Sequence, residues 1–567
     1  MKHRTGRAAL VSIICAVALV TQAMTLTVLA SDAPGGAVIQ YFKNPDENAK
    51  PMARMWFPDA AAGADEDDVI EKQILELADK GFGGVEVAML ADGVSYDNAG
   101  GKEYGWGTTN WAKLLVKVLK AAAKVPGGFQ VDMTITAHWP PTLNTIDPND
   151  EAANKELTYS VTKVTAAGIA DGKLDLTLPA RKTDGPAGGF GGRSAYDHFL
   201  FTDTFVSAAI AKVSEIKQVP VAAASGFPGM PGATQAEPAE PTEPETKPRI
   251  VFDFASLQPL DSVTAADEGG YAAGVPDKAT ADAYGWDYDA IVEFFGPESD
   301  GPWVSGNGKL DAELNRKRMA DWQDQYSADL TNVSLDGLND GEEIQPGDWV
   351  IISTFERGTG QSISGGRIMR NGVFVTNYFN EAGTKALTDF WEGMLASEPE
   401  LLELMKANPG YIFEDSIEAS SASSYWASTM LDDVADDYAY KGVLPIVAAS
   451  KYISSGFMGT SVTEFFSFDN DGGLVSRIYE DYNDKLAELY VKYRVQGLAD
   501  WTRDALGWGF RGQTYHLPGL EISRAAQVAD VAEADNMAKG DGIRYQSGTV
   551  NITGRDFLTM EAITGPT

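Results

Sequence analysis

The sequence predicts an α/β fold of the (β/α)8 TIM-barrel type that lacks its last strand and is interrupted by a β-rich inserted domain. Apolar strand patterns alternate with amphipathic helix patterns in residues 31–156 and again in 377–567, as is typical of parallel βαβ units. Between these parts, residues 157–376 hold short alternating segments rich in Thr, Val, Gly and Asp. Several strands of the alternating parts carry an acid near their carboxyl end, where barrel enzymes keep their chemistry.

The first part of the barrel contains three strand patterns with a helix pattern between each pair. The strands are predicted at residues 53–57, 83–90 and 130–138. Ile70, Ile74 and Leu77 follow helical spacing, and Gly81 stands where a helix commonly ends. This order of elements predicts neighbouring parallel strands.

The inserted domain is predicted to be β-rich because its apolar residues alternate, as in Lys173–Leu178 and Trp349–Phe355. Inside it, residues 220–248 are rich in Pro, Ala and Glu and are predicted to form a disordered, extended loop. The glycine-rich residues 188–192 are not a phosphate-binding loop, since no Lys-Ser/Thr pair follows them.

The second part of the barrel resumes near residue 380 with a helix pattern and then the strand that begins at Tyr411. A long amphipathic helix is predicted over residues 477–505. Across the whole chain, the predicted barrel strands are represented by Met55, Val85, Val131, Ile412, Phe510, Val531 and Leu558. A closed barrel needs eight strands, so we expect that one strand is missed or that the second part is truncated.

The N-terminal 30 residues have the pattern of a secretory signal peptide. Lys2, Arg4 and Arg7 precede an apolar run that ends at Ala30. The length of the run also fits an uncleaved membrane anchor. We expect a secreted or periplasmic protein with no membrane span once the signal is removed.

Composition limits the chemistry and the partners of this chain. Its one cysteine, Cys15, lies in the signal, so the mature protein has no disulfide, Cys-metal site or Cys nucleophile. The formal net charge of −36 disfavours binding to nucleic acid and to anionic lipid. Two explanations of the excess of acidic residues stay open. The acidic residues either only keep the surface well solvated or adapt the protein to a salt- or calcium-rich habitat.

Acidic residues in the carboxyl halves of five predicted strands should meet at one end of the barrel. They are Glu86, Asp132, Asp415 with Glu418, Glu533 and Glu561. Carboxylates that share a cleft raise one another's pKa, which can make one of them a general acid. Aromatic and imidazole side chains fall near the same edge: Trp56, Trp139, Trp426, His138 and His516. Acids and indoles at a barrel mouth indicate glycoside hydrolysis.

A structural role is the alternative for several of these residues. Glu86 has strand neighbours on both sides, so it either binds substrate or pairs with Arg54 in a structural role. For Asp132, the surrounding strand pattern favours a structural role. Glu418 and Glu561 lie at the ends of predicted strands, and this position favours a functional role. Histidines are commonly buried core residues, but two at one rim favour contact with substrate.

The motifs along the chain resemble the catalytic region of glycoside hydrolase family 106, the α-L-rhamnosidase-like proteins. In order, they are Arg54–Pro58, Gly83–Glu86, Trp139–Pro140, Asp415–Glu418 and Thr559–Glu561. Gly347–Trp349 and Thr359–Gly360 are similar to that family's β-rich insertion.

The resemblance implies an inverting glycosidase that removes terminal rhamnose or a related sugar from an oligo- or polysaccharide. It implies that Glu418 is the general acid and Glu561 the general base, that Glu533 helps to bind sugar or metal, and that calcium is a cofactor whose ligands are unknown. Two alternatives remain. One is a non-catalytic carbohydrate-binding protein with an incomplete barrel, and the other is an extracellular scaffold whose acidic surface binds calcium.

Overall fold

A computed structural model gives the fold. It describes residues 50–65, 68–89, 103–137, 140–146, 148–179, 202–220, 246–265, 326–361, 374–415, 417, 423–432, 434, 438–456, 459–513 and 522–532.

The described strands are, in chain order, β1 (Met52–Phe57), β2 (Gly84–Met89), β3 (Gln130–Thr134), β4 (Thr142–Leu143), β5 (Lys155–Lys163), β6 (Lys173–Asp175), β7 (Thr204–Pro220), β8 (Thr246–Pro259), β9 (Val263–Ala265), β10 (Tyr326–Asp329), β11 (Trp349–Gly358), β12 (Phe374–Val375), β13 (Tyr411–Glu414), β14 (Tyr425–Trp426), β15 (Lys451–Gly456), β16 (Gly459–Glu464), β17 (Ser467–Asp469), β18 (Gly509–Gly512) and β19 (Val531–Ala532).

The described helices are α1 (Ala61–Ala64), α2 (Val69–Asp79), α3 (Thr109–Ala122), α4 (Ala166–Asp171), α5 (Glu381–Ser397), α6 (Pro399–Ala407), α7 (Tyr438–Ala449), α8 (Leu474–Leu489), α9 (Gly497–Trp501) and α10 (Ile522–Ala526). Two π-helical segments, Tyr490–Gln496 and Thr502–Leu506, connect α8 to α9 and extend α9, and a 3₁₀ turn spans Ser428–Leu431.

The fold is mixed α/β, and a parallel sheet holds its two sequence parts together. Its strand order is β1-β2-β3-β13-β18-β19, and every neighbouring pair is parallel. These are six of the seven strands predicted from the sequence, in the predicted order. Residues around Leu558 lie outside the described residues, and the described strands do not close into a barrel, so the TIM barrel stays a prediction.

The helices of the first part cover one face of this sheet because their apolar residues fall on one side. Ile70 and Ile74 of α2 are buried, as are nine residues of α3. Thr108 starts α3 by accepting a hydrogen bond from the backbone N–H of Trp111, which satisfies one of the free donors of the first turn. Val85, Val131 and Ile412 belong to the same core.

Two indoles fix later helices to the ends of the strands. The Trp391 Nε1 of α5 donates to the Ile135 carbonyl at 2.8 Å, directly after β3. The Trp508 Nε1 donates to the Met405 carbonyl of α6 at 2.7 Å. The first bond joins the second sequence part to the first, and the second fixes α6 beside the start of β18.

The region between β3 and β13 contains a mainly antiparallel sheet of order β14-β5-β11-β7-β8-β17. Helix α7 contacts β5, β7, β8 and β11. A separate apolar cluster, which includes Ile210, Ile351 and Phe355, is formed with β10 and its neighbours. Strands β14 and β17 come from residues after β13, so this sheet draws on more of the chain than the predicted 157–376.

The Pro/Glu-rich tract predicted as a loop at 220–248 has strand residues at both of its described ends. Pro220 pairs with Thr246, and Pro248 pairs with Gln218. Proline is tolerated there because neither residue has a second paired strand in the described sheet, so no ladder donor is lost on that side. Residues 221–245 lie outside the described residues. Among the helices that the structure does describe, none is long and apolar enough to cross a membrane.

Candidate functional site

Strands β1, β2, β3, β13 and β18 bring charged side chains from distant parts of the sequence together on one face of the parallel sheet. Arg54, Glu86 and Asp132 stand opposite one another in register. Phe413 stands opposite Thr134 on one side and Arg511 on the other. Because side chains alternate along a strand, these residues share one face, and Val85, Val87 and Met133 pack into the apolar core.

Two arginines and three carboxylates on this face form a network of ion pairs. Arg54 Nε lies 2.6 Å from Glu86 Oε1, and Arg54 Nη1 lies 3.4 Å from Asp415 Oδ2. Arg511 pairs with the other oxygen of Glu86 and, at 2.6 Å, with Asp132 Oδ2. Glu86 is therefore held between two guanidinium groups.

The base of the network is closed by neutral donors. Asp132 Oδ1 accepts hydrogen bonds from Gln130 Nε2 at 2.9 Å and from the Tyr411 backbone N–H at 3.0 Å. The guanidinium carbon of Arg511 lies 4.5 Å from the centroid of the Phe413 ring, within cation–π distance. Asp132 is fully buried, and its contacts identify it as a structural acid rather than a group that meets substrate.

A small pocket opens at the carboxyl edge beside this network. Its lining includes Arg54, Trp56, Thr134, Phe413 and Asp415. Trp56 is 46% exposed on a strand whose other residues are half-buried or exposed, and the Asp415 side chain is 17% exposed. The pocket thus combines an accessible aromatic face, a carboxylate and a guanidinium, which are groups that suit a polar ring.

The structure separates the residues proposed from the sequence into three groups. Asp415 and Trp56 line the pocket, and Glu86 lies directly below it in the ion-pair network. Trp426, expected at the same edge, is instead 2% exposed and belongs to β14 of the antiparallel sheet. The remaining candidates lie outside the described residues: Glu418, Glu561, Glu533, His138, Trp139 and His516.

Four residues of the site were not proposed as functional from the sequence. Arg54 was considered as a partner of Glu86, while Arg511, Thr134 and Phe413 were not considered. The spacing of Arg54 and Trp56, two residues apart on one strand, is the signal that places both on one face. Arg511 gives no such signal, because its role depends on pairing between β13 and β18.

Glu414 precedes Asp415 but points away from the pocket. It is buried, and Arg494 Nε of the π-helical segment lies 3.7 Å from Glu414 Oε1, too far for a hydrogen bond. Burial raises the pKa of Glu414 to about 7, and the charge of Arg494 opposes that rise. Arg494 is also held by the Thr376 hydroxyl, which accepts at 2.7 Å, and by the Asn377 carbonyl at 3.1 Å.

The described residues do not fit a calcium site. They contain no group of three or more His, Cys, Asp or Glu side chains placed to share a metal ion. Both carboxylates nearest the pocket, Glu86 and Asp415, contact guanidinium groups. In the acidic turn Asp469–Gly473, Asp471 accepts from the Val475 backbone N–H and so begins α8 rather than meeting other acids. Calcium stays a prediction from the family resemblance.

Comparison with known proteins gives a distant likeness. Among solved structures, the chain is similar to the rhamnosidase from Novosphingobium sp. PP1Y, with 13% sequence identity and a TM-score of 0.41. The match covers 87% of this chain and 48% of that one, so this chain spans about half the length of that structure. No family model matches the sequence, and no curated protein matches it.

Proposed function

We propose that this chain is a glycoside hydrolase of the α-L-rhamnosidase-like kind, which removes terminal rhamnose or a related sugar from an oligo- or polysaccharide with inversion. One observation carries the proposal. Distant parts of the sequence meet at the carboxyl edge of a parallel sheet and form a pocket with an exposed indole, Trp56, beside a carboxylate, Asp415. The kind of sugar and the inverting mechanism are inferred from the resemblance of the sequence motifs, in their order along the chain, to the α-L-rhamnosidase-like proteins.

The described residues bind and orient the sugar in this proposal. The Trp56 ring offers a flat apolar face to the carbon side of a pyranose ring. Asp415 accepts hydrogen bonds from sugar hydroxyls, since an ionised carboxylate has about four acceptor positions. Phe413 closes the floor of the pocket. Binding in one orientation brings the glycosidic bond to the acids that carry out the reaction.

The reaction itself needs an acid and a base. Glu418, three residues after Asp415, would give a proton to the leaving oxygen while the bond to the anomeric carbon breaks. Glu561 would take a proton from the water that attacks the opposite face of the sugar. The fully buried Ile417 anchors the chain directly before Glu418.

Replacement of Glu418 and of Glu561 by Gln tests these two roles. Each variant should hydrolyse an aryl α-L-rhamnoside about 10²–10⁴-fold more slowly than the unaltered chain. For the unaltered chain, proton NMR should show that the first product is the inverted anomer. Glu403→Gln, at an exposed position of α6, is the matched control and should keep full activity. Near-normal turnover by either active-site variant would show that the assignment is wrong.

A non-catalytic carbohydrate-binding protein is the second candidate. It is favoured by one observation: Glu86 and Asp132 are both held by Arg511, so among the described acids of the network only Asp415 lines the pocket. Calorimetry that detects sugar binding by the unaltered chain, with no product after long incubation, would support this function instead.

We also propose that the protein acts outside the cytoplasm, directed there by residues 1–30. Its acidic charge fits a soluble partner such as a neutral polysaccharide rather than nucleic acid. Expression with the native N-terminus, followed by mass spectrometry of the exported protein, should show cleavage after Ala30. Retention of residues 1–30 would support a membrane anchor.

A further inference from the structure

We infer that Arg54 and Asp415 together bind two neighbouring hydroxyl groups of the sugar, and that Arg54 therefore helps to decide which sugar fits. The inference rests on the proposed saccharide substrate but not on its hydrolysis. Arg54 lies on β1, and Asp415 directly follows β13. The two residues are 361 positions apart in the chain and both line the pocket.

Arg54 has donors left for a ligand. Its Nε contacts Glu86 and its Nη1 contacts Asp415, whereas its Nη2 makes no hydrogen bond or ion pair within the described part of the chain. The 2.6 Å contact with Glu86 is a close ion pair without the angle of a hydrogen bond. The side chain is 35% exposed, so a ligand in the pocket can reach the guanidinium.

The guanidinium is held in place before any ligand arrives. Its carbon lies 5.2 Å from the Phe413 ring centroid and 5.9 Å from that of Trp56. Glu86, which contacts Arg54 from below, is itself fixed by Arg511. Because these groups are ordered by the protein, binding loses little side-chain entropy.

The adjacent charges match neighbouring hydroxyls. A hydroxyl both donates and accepts, so one sugar oxygen can accept from Arg54 Nη2 while the next hydroxyl donates to Asp415. Thr134 Oγ1, on the facing strand, is buried, lines the pocket and has no hydrogen-bond partner in the described structure, so it offers a further polar contact to the same ring.

The charge balance disfavours an acidic sugar. Among the described residues of this network, the two guanidinium groups of Arg54 and Arg511 face three carboxylates, those of Glu86, Asp132 and Asp415. The carboxylate of a uronic acid would bring a like charge next to Asp415, and like charges at short range are unfavourable. The site therefore fits a neutral sugar with adjacent hydroxyls.

Titration calorimetry of the full chain with methyl α-L-rhamnoside and its monodeoxy analogues tests the inference. Arg54→Lys keeps the charge but removes the planar pair of donors, and it should bind the parent sugar about 10- to 100-fold more weakly. One monodeoxy analogue, which lacks the contacted oxygen, should bind the variant and the unaltered chain equally. Methyl galacturonide should bind worse than the neutral sugar.

Asp415→Asn is the second variant, and it should also bind the parent sugar more weakly than the unaltered chain. This difference in affinity should disappear with a different monodeoxy analogue, the one that lacks the hydroxyl on the adjacent carbon. Arg503→Lys is the matched control, because Arg503 pairs with Asp530 beside the amino end of β18, away from the pocket. Circular dichroism and thermal unfolding establish that each variant is folded.

The inference is overturned if Arg54→Lys binds the parent sugar within about twofold of the unaltered chain, if no monodeoxy analogue removes the difference, or if the unaltered chain binds no neutral sugar. If the sugar binds as expected but is not hydrolysed, the binding role of Arg54 and Asp415 is supported and the hydrolase function is refuted. If the Arg54→Lys variant hydrolyses the sugar with unchanged affinity, the hydrolase function is supported and the binding role of Arg54 is refuted.

Discussion

At the scale of single residues, the ion-pair network depends on two buried carboxylates, Glu86 and Asp132, that are paired with arginine. Arg511 is the centre of this arrangement, since it contacts both Glu86 and Asp132. A buried carboxylate that loses its cation carries most of the unfavourable free energy of desolvation. The free energy of unfolding should therefore be much more sensitive to Arg511 than to the exposed ion pairs of the surface.

Arg511→Met should lower the free energy of unfolding by about 3–5 kcal/mol, because it leaves two buried carboxylates with less compensation. Lys385→Met is the control. Lys385 pairs with Asp389 on the exposed face of α5, and an exposed pair of this kind contributes little to stability because solvent screens it. Urea unfolding of both variants measures the difference, and equal losses would contradict the central role of Arg511.

Glu414 should make stability depend on pH. Its pKa in the folded chain is about 7, above its ordinary value, so the folded state holds the proton more tightly than the unfolded state. The stabilisation is complete below the ordinary pKa and is lost as pH rises through about 7. Over that interval the free energy of unfolding should fall by about 3 kcal/mol because of this group.

Glu414→Gln removes the titration and supplies the measurement. The amide stays neutral, so the stability of the variant minus that of the unaltered chain should rise by about 3 kcal/mol between pH 5 and pH 8. Using this difference cancels the contributions of other carboxylates. A difference that stays level across the range would show that Glu414 does not titrate near neutral pH.

At the scale of elements, strand β13 matters most because it links the two sequence parts of the parallel sheet and leads into the proposed acid. Its close approach to β3 requires a glycine at its start. A Cβ added to Gly410 would lie 1.9 Å from the Val131 carbonyl oxygen, a distance at which the strands must move apart.

Gly410→Ala should therefore destabilise the fold by about 1–3 kcal/mol or more through overpacking. Gly393→Ala is the matched control, since a Cβ at that exposed position of α5 meets nothing within 4 Å. Alanine within a helix is favoured over glycine by about 0.5–1 kcal/mol, so the control should be stabilised. Thermal unfolding of the pair distinguishes crowding from a general glycine effect.

The elements also show what the sequence could and could not predict. Local periodicity identified the strands around Met55, Val85, Val131, Ile412, Phe510 and Val531, and their alternation with helices predicted the parallel order that the sheet has. Trp426 was misplaced because a tryptophan beside a strand end has the same sequence pattern whether its strand joins the parallel sheet or the antiparallel sheet. The partner of β14 is β5, about 270 positions earlier, and no local pattern records that pairing.

The candidate site was predictable only in part for the same reason. Asp415 and Trp56 were found because each follows an apolar strand run. Arg511 was missed, since the run Gly509–Gly512 is short and its importance comes from Glu86 and Asp132 on other strands. The role of Glu86 stayed open in the sequence; the structure shows its ion pair with Arg54, and its contact with substrate stays a prediction.

At the scale of the whole molecule, the formal net charge of −36 sets a repulsion that acts against the compact state. Raising NaCl from about 0.01 M to about 0.15 M shortens the Debye length from about 30 Å to about 8 Å. Repulsion between distant carboxylates then weakens strongly, whereas a contact such as the 2.6 Å pair of Arg511 with Asp132 is screened little because it is buried.

The melting temperature at pH 7.5 should therefore rise with NaCl over this range, by about 2 °C or more. Near pH 5, close to the sequence pI of about 4.4, the net charge is small and the same addition of salt should change the melting temperature much less. Calorimetric scans at both pH values provide the comparison. A melting temperature that falls with salt at pH 7.5 would mean that surface ion pairs outweigh the net repulsion, so that the acidic excess is arranged in locally compensated groups.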